Sequence, residues 1–218
     1  MKRLFSYEGP VSQGIGKILD FLLLSVLWLV FSLPVITVGG ASAALYYTAR
    51  KVLRRDIGHV TKEFLRCFRG NFRQATVLWL ILLGVLAFLA GDIWLVCGLC
   101  RSGILHRSVL YLLLVLAALV LTWGQFLFSY LSRFSDSTAA ILRNCIRIVL
   151  SNPLAALGIA ALLAAALFFL WDIPGGILLV PAGVGLLCGR LTDRVFQKYM
   201  SRETLEEDRE SGQFRDFS

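Results

Sequence analysis

The chain has 218 residues, 57% of them hydrophobic and only 17% charged, and its mean hydropathy is +0.74. A soluble domain of this size could not bury so much apolar surface; the excess must face lipid, which excludes a water-soluble globular enzyme. The net charge of +8 does not point to nucleic acid, because the basic residues lie between apolar runs, where they set membrane orientation.

In chain order the apolar runs fall at residues 18–33, 35–49, 75–91, 109–131, 154–171 and 173–189. Crossing a hydrocarbon core of about 30 Å at 1.5 Å per residue takes about 20 residues, so the run at 35–49, about 22 Å of helix, is short. All six are expected to be helical, since an isolated strand leaves its backbone unsatisfied in lipid. The expected fold is all-α: a polytopic transmembrane helical bundle of five full spans plus a short or re-entrant helix after Pro34, six membrane segments in three hairpins. It occupies residues 1–200. Residues 201–218, with Glu203, Glu206, Glu207, Asp208 and Glu210 beside Arg202 and Arg209, read as a polar cytoplasmic tail.

The distribution of Lys and Arg decides between topologies. Three precede Ile18, eight lie at 50–73, two (Arg101, Arg107) in the next loop, three (Arg133, Arg143, Arg147) after that, none near Asp172, and six from Arg190 onward. With one crossing before Arg50, five spans place 17 of the 22 inside. If the chain turns back near Pro34 and recrosses, 20 lie inside and two outside. The positive-inside rule favours the second arrangement, with both termini cytoplasmic. Lys2, Arg3, an apolar run and Ala41-Ser42-Ala43 imitate a signal peptide, but cleavage there would put the eight-residue basic cluster outside, so the segment is expected to be retained.

Pro34 should end or kink the first helix, because proline lacks an amide hydrogen and disfavours helical geometry at Leu33. Gly39, Gly40, Ala41, Ser42, Ala43 and Ala44 follow, small side chains that let helix backbones approach closely. Across 61–73, Phe64, Phe68 and Phe72 recur at spacing four, with Lys62, Arg66, Arg69 and Arg73 on the remaining circumference. That pattern predicts an amphipathic helix along the cytoplasmic headgroups, its basic face toward anionic lipid. A weak repeat aligns Phe68, Asn71 and Asp92-Ile93 with Val149, Asn152 and Asp172-Ile173; as a true repeat it would relate two hairpins by an axis normal to the membrane. The final run is interrupted by Pro174, Gly175, Gly176, Pro181, Gly183 and Gly185, which predicts a kink and close packing, with Gly185 and Gly189 as a small-residue pair.

Residues able to carry chemistry are few. Asp20, Asp92, Asp172 and Asp193 fall near predicted span ends, within reach of water or headgroups, so an ion-coupled mechanism lacks its usual mid-membrane charge. Gln125 is the most deeply placed polar side chain, suited to an interhelical hydrogen bond or a substrate contact. Cys97 and Cys100 form a C-x-x-C near His106, compatible with a disulfide or partial metal site, but no fourth ligand is apparent. Cys67, Cys145 and Cys188 read as reduced small hydrophobes. His59 has no nucleophile or carboxylate pair near it in sequence, and no phosphate-binding glycine motif occurs, so neither an enzyme nor a cofactor or metal is expected.

Leu4-Phe5, Gly9-Pro10, Ser32 through Gly39 (SLPVITVG), Ala43-Ala44-Leu45-Tyr46-Tyr47 and Phe64 through Gln74 (FLRCFRGNFRQ) together resemble the YesL-like bacterial membrane proteins, domain of unknown function 624. The resemblance is specific over the first third of the chain and follows only the span pattern beyond it. Such proteins are typically encoded beside sugar ABC transporter components and glycan-degradation genes, which implies a non-catalytic accessory role in carbohydrate uptake, as partner of a permease. The first alternative is a small transporter with a site at the broken helices near Pro34 and Pro181, for which Thr37, Ser42 and Gln125 are the substrate-binding candidates and Pro34, Gly39, Gly40 and Pro181 the hinge; the second, a membrane enzyme, lacks residues to carry it. The partners expected either way are the bilayer and its anionic headgroups.

Overall fold

The computed structural model describes residues 10–54, 57–99, 104–134 and 136–199, with side chains at 16–54, 57–98, 107–134, 136–173 and 175–198. Among the described residues every regular element is helical. The α-helices are α1 (Pro10–Ser32), α2 (Val38–Thr48), α3 (Val60–Leu99), α4 (Ile104–Leu131), α5 (Thr138–Ser151), α6 (Pro153–Asp172) and α7 (Val180–Tyr199). Val35–Thr37 and Pro174–Leu178 form 3-10 turns, and Ala49–Leu53 a π turn continuing α2. Among the described residues, Val60–Gly98, Arg107–Leu131 and Pro153–Asp172 are long and apolar enough to cross a membrane.

α1 stops at Ser32, one residue before the Leu33-Pro34 pair that cannot continue a helix. The Thr37 hydroxyl lies within hydrogen-bonding distance of the carbonyls of Phe31 (2.5 Å) and Pro34 (2.7 Å), groups the helix end leaves without intrahelical partners. The returning helix is the centre of the molecule. α2 is buried on all sides except at Val38 and Ser42, and its side chains divide between two apolar clusters. Ala43 and Tyr46 join one with Leu78, Leu82, Phe126, Leu127 and Ile159; Ala41, Ala44, Leu45 and Tyr47 join the other with Leu24, Val60 and Phe64. A helix apolar all round is one enclosed by neighbours, here α1, α3, α4 and α7.

Small residues make that enclosure possible. A Cβ built on Gly39 would stand 2.6 Å from both the Ala75 carbonyl oxygen and the Trp79 Cβ, and one on Gly40 would stand 3.1 Å from the Phe68 ring. Gly185 of α7 abuts Leu45 in the same way, at 3.1 Å.

Two local expectations need correction. Residues 61–73 are not a separate surface helix: they are the first turns of α3, which contains no proline and runs 40 residues, about 60 Å, twice the thickness of a hydrocarbon core. Phe64 is fully buried and Phe68 half-buried, their rings packed against Phe31 at 5.5 and 4.9 Å, so this aromatic face is turned into protein rather than acyl chains. The separate amphipathic helix is instead α5, which buries Ile141, Cys145 and Ile148 and begins at a Ser137 cap accepting from the Ala140 amide. The final run is interrupted as expected: the 3-10 turn Pro174–Leu178 precedes α7, and Pro181 stands in the first turn of α7, where its missing amide hydrogen costs nothing.

The two halves of the weak repeat share one interaction and differ in its consequence. The Asn71 and Asn152 carboxamides each donate to the carbonyl four residues earlier, Cys67 at 3.3 Å and Ile148 at 3.0 Å. Asn71 lies within unbroken α3, whereas Asn152 leaves helical geometry (φ −133°, ψ 65°) and separates α5 from α6, because Pro153 follows it.

Candidate functional site

The densest polar arrangement lies where the π turn, α3, α4 and α7 meet. The π turn places the neighbours Arg50 and Lys51, both buried, on different acids. Arg50 Nη1 is 3.7 Å from Asp193 Oδ1, while Lys51 Nζ is 2.8 Å from Glu63 Oε2. Arg54, one further turn along, pairs with the other Asp193 oxygen, and Arg133, two residues beyond α4, approaches Oδ1 at 3.3 Å. One buried carboxylate on α7 thus receives three guanidiniums from two other elements. π turns concentrate at functional sites because the extra residue re-aims side chains; here it directs Arg50 and Arg54 toward α7 and Lys51 toward α3.

Around Lys51 the contacts close into a triad. Its ammonium donates to the Tyr47 hydroxyl (3.2 Å) and lies 5.4 Å from that ring's centroid, and the same hydroxyl is 3.4 Å from Glu63. Burial pushes the Lys51 pKa down, but the bonds to Glu63 and Tyr47 outweigh it and hold the pKa above the ordinary lysine value, so the charge persists through neutral pH. Arg66 approaches the second Glu63 oxygen at 4.0 Å. Deeper in the bundle, Ser129 on α4 and Thr192 on α7 share a hydrogen bond of 2.7 Å. The Asp136 carboxylate accepts from Tyr130 (2.6 Å), whose oxygen accepts from Asn144 of α5 at 3.4 Å.

Asp193 therefore differs from the expectation of a carboxylate in contact with water or headgroups: it is 8% exposed and ion-paired. Sequence reasoning treated Arg50, Lys51 and Arg133 only as orienting charges and missed the cluster. Its members are dispersed over more than 140 positions, and a local signal existed only in the spacing of Arg50 and Arg54.

Each of the proposed substrate contacts has its own partner within the chain. Thr37 closes the turn after α1, Ser42 accepts from the Trp28 indole (3.3 Å) and ties α1 to α2, and Gln125 accepts from the Tyr46 hydroxyl and ties α4 to α2. Pro34 is exposed in its turn, Gly39 and Gly40 are buried against α3, and Pro181 is buried. Lys62, Arg66, Arg69 and Arg73 are all exposed. Among the described residues no three of His, Cys, Asp and Glu lie close enough together to hold a metal ion. Cys97 is exposed; Cys100, Arg101, the His106 side chain and the tail at 201–218 lie outside the described residues.

Residues 21–93 match the family described as Protein of unknown function, DUF624. The DUF624 match covers α1 from Phe21, all of α2, the π turn and most of α3; it therefore includes Arg50, Lys51, Arg54 and Glu63 but not Arg133 or Asp193. It agrees with the resemblance carried by SLPVITVG and FLRCFRGNFRQ. No curated protein and no solved structure matches the chain.

The cysteines yield a direct test of packing. Burial pushes the Cys145 thiol up to about 12, and Cys67 and Cys188 are fully enclosed; buried thiols without thiolate character do not react. A membrane-permeant maleimide at pH 7.5 is expected to modify Cys97 in the folded protein and to reach Cys67, Cys145 and Cys188 only after denaturation. Peptide mapping that finds Cys145 modified before unfolding would contradict the placement of α5.

Proposed function

We propose that the protein is a multi-pass protein of the bacterial inner membrane that acts without catalysis as a partner of a carbohydrate-uptake permease. In this reading α1, α3, α4, α6 and α7 cross the bilayer, α2 forms the short sixth segment, and both termini lie in the cytoplasm. The observation that carries the topology is the ion network. Arg50, Lys51 and Arg54, the start of α3, Arg133 after α4 and Asp193 near the end of α7 come together, which fits helices that leave and return in pairs, with the basic loops on one side.

Support for an accessory over a transporter comes from the polar groups themselves. The Thr37 and Ser42 hydroxyls and the Gln125 amide are engaged within the chain, whereas a dehydrated sugar needs many convergent hydrogen bonds. The carbohydrate connection itself rests on the YesL-like resemblance. Purification in mild detergent is expected to bring down membrane subunits of a sugar permease with their nucleotide-binding partner. Sugar flux through vesicles containing this protein alone, abolished by Thr37→Val and Ser42→Ala while the fold persists, would replace the accessory reading with a transporter.

A further inference from the structure

α5 has two working faces, and only one is used inside the molecule. Ile141, Cys145 and Ile148 enter the core, while Arg143, Ile146 (46% exposed), Arg147 and Leu150 (75% exposed) point outward. The helix has two arginines four residues apart and no acidic residue, and neither arginine forms an ion pair among the described residues. Like charges at that spacing repel one another, so the face calls for negative charge from outside the chain.

Its position indicates where that charge lies. Asn152 alone separates α5 from α6, which is long and apolar enough to span, and the outward apolar run continues from Leu150 into Leu154 and Leu157, 84% and 64% exposed. Ile146 and Leu150 are seven and three residues from the start of α6, so even a helix pointing straight away from the bilayer would hold them within about 10 Å of its hydrocarbon edge. Exposed aliphatic side chains interleaved with arginine at that depth are the pattern of a helix embedded at the membrane surface.

We propose that the outer face of α5 is a binding surface for anionic phospholipid. Ile146 and Leu150 enter the boundary between headgroups and acyl chains, and Arg143 and Arg147 pair with lipid phosphates. This surface is separate from the exposed basic residues of 61–73, whose phenylalanines face protein. The inference rests on the membrane reading above, and its test keeps the two apart.

The experiment uses the full chain in nanodiscs, carrying Cys97→Ser and Cys100→Ser, with a bimane probe at Ile146→Cys or, as control, at Phe168→Cys on the exposed side of α6. Each sample contains phosphatidylcholine and phosphatidylglycerol in fixed ratio, with bromine on the acyl chains of one or the other. The Phe168 probe should be quenched equally by both. The Ile146 probe should be quenched preferentially by brominated phosphatidylglycerol, by about fivefold for each arginine, and Arg143→Gln with Arg147→Gln should abolish the preference without changing gel-filtration behaviour. Quenching at Phe168 but not at Ile146 would leave the membrane reading standing and overturn the lipid surface. Equal quenching by both lipids at Ile146, protection from lipid and aqueous quenchers alike, or loss of the preference on adding inorganic phosphate would each overturn it too, in favour of a neutral interface, a protein partner or a soluble anion. Absence of quenching at both sites would remove the membrane reading itself.

Discussion

Replacing Asp193 by Asn is expected to lower the unfolding free energy by about 3–5 kcal/mol, the range found when one partner of a buried ion pair is removed. The cost arises from the groups left behind. Arg50 and Arg133 have side chains only 9% and 6% exposed, and an amide cannot offset the desolvation of guanidiniums that a carboxylate had balanced. Arg54 is 32% exposed, so Arg54→Gln should cost about 1 kcal/mol or less, since water replaces much of its pairing. Thermal unfolding in detergent, followed by loss of the monodisperse gel-filtration peak, separates the two variants. Equal midpoints for Asp193→Asn and the parent protein would mean that the arginines do not depend on this carboxylate.

The second large effect belongs to Gly39. Substitution by Ala is expected to destabilise by about 3 kcal/mol, at the upper end for overpacking, because the added methyl meets the Ala75 carbonyl oxygen and the Trp79 Cβ, atoms that move only if α2 and α3 separate. Gly124 provides the contrast. Its Cβ would also stand 2.6 Å from an atom, but that atom is a Leu82 methyl at the end of a flexible side chain, so Gly124→Ala should cost less. Gly84 and Gly91 have nothing within 4 Å; Ala there should stabilise slightly, by about 0.5–1 kcal/mol, through helix propensity. Chemical denaturation of the four variants in one detergent orders them, and a Gly39→Ala protein as stable as Gly84→Ala would refute the close approach of α2 to α3.

Much of the helical plan was legible because apolar composition and proline sterics act locally along the chain. The stop at Pro34 follows from proline sterics acting on the preceding residue, and the break at Asn152 has the same cause one helix later. The small residues at 39–44 announced close packing, since side-chain size acts through the nearest neighbour whatever that neighbour is. The assignment of the 61–73 phenylalanines to acyl chains went astray for a physical reason: an apolar stripe opposite a basic one fits acyl chains and a protein core equally well. Phe31 and the tyrosine side of α2 decided in favour of the core. α5 escaped attention because its buried Ile141, Cys145 and Ile148 are flanked by Ile146 and Leu150, which blur a single amphipathic stripe.

The amino-acid sequence by itself determined the apolar and helical character of this protein, because both depend on composition and short-range sterics summed along the chain. Only the tertiary structure decided that the short helix after Pro34 is the enclosed centre of the bundle and that Arg50, Arg54 and Arg133 converge on Asp193. Both outcomes depend on which helices become neighbours. That is set by the fit of Gly39 against Ala75 and Gly185 against Leu45, contacts between residues far apart in sequence whose energies exist only once the helices have met.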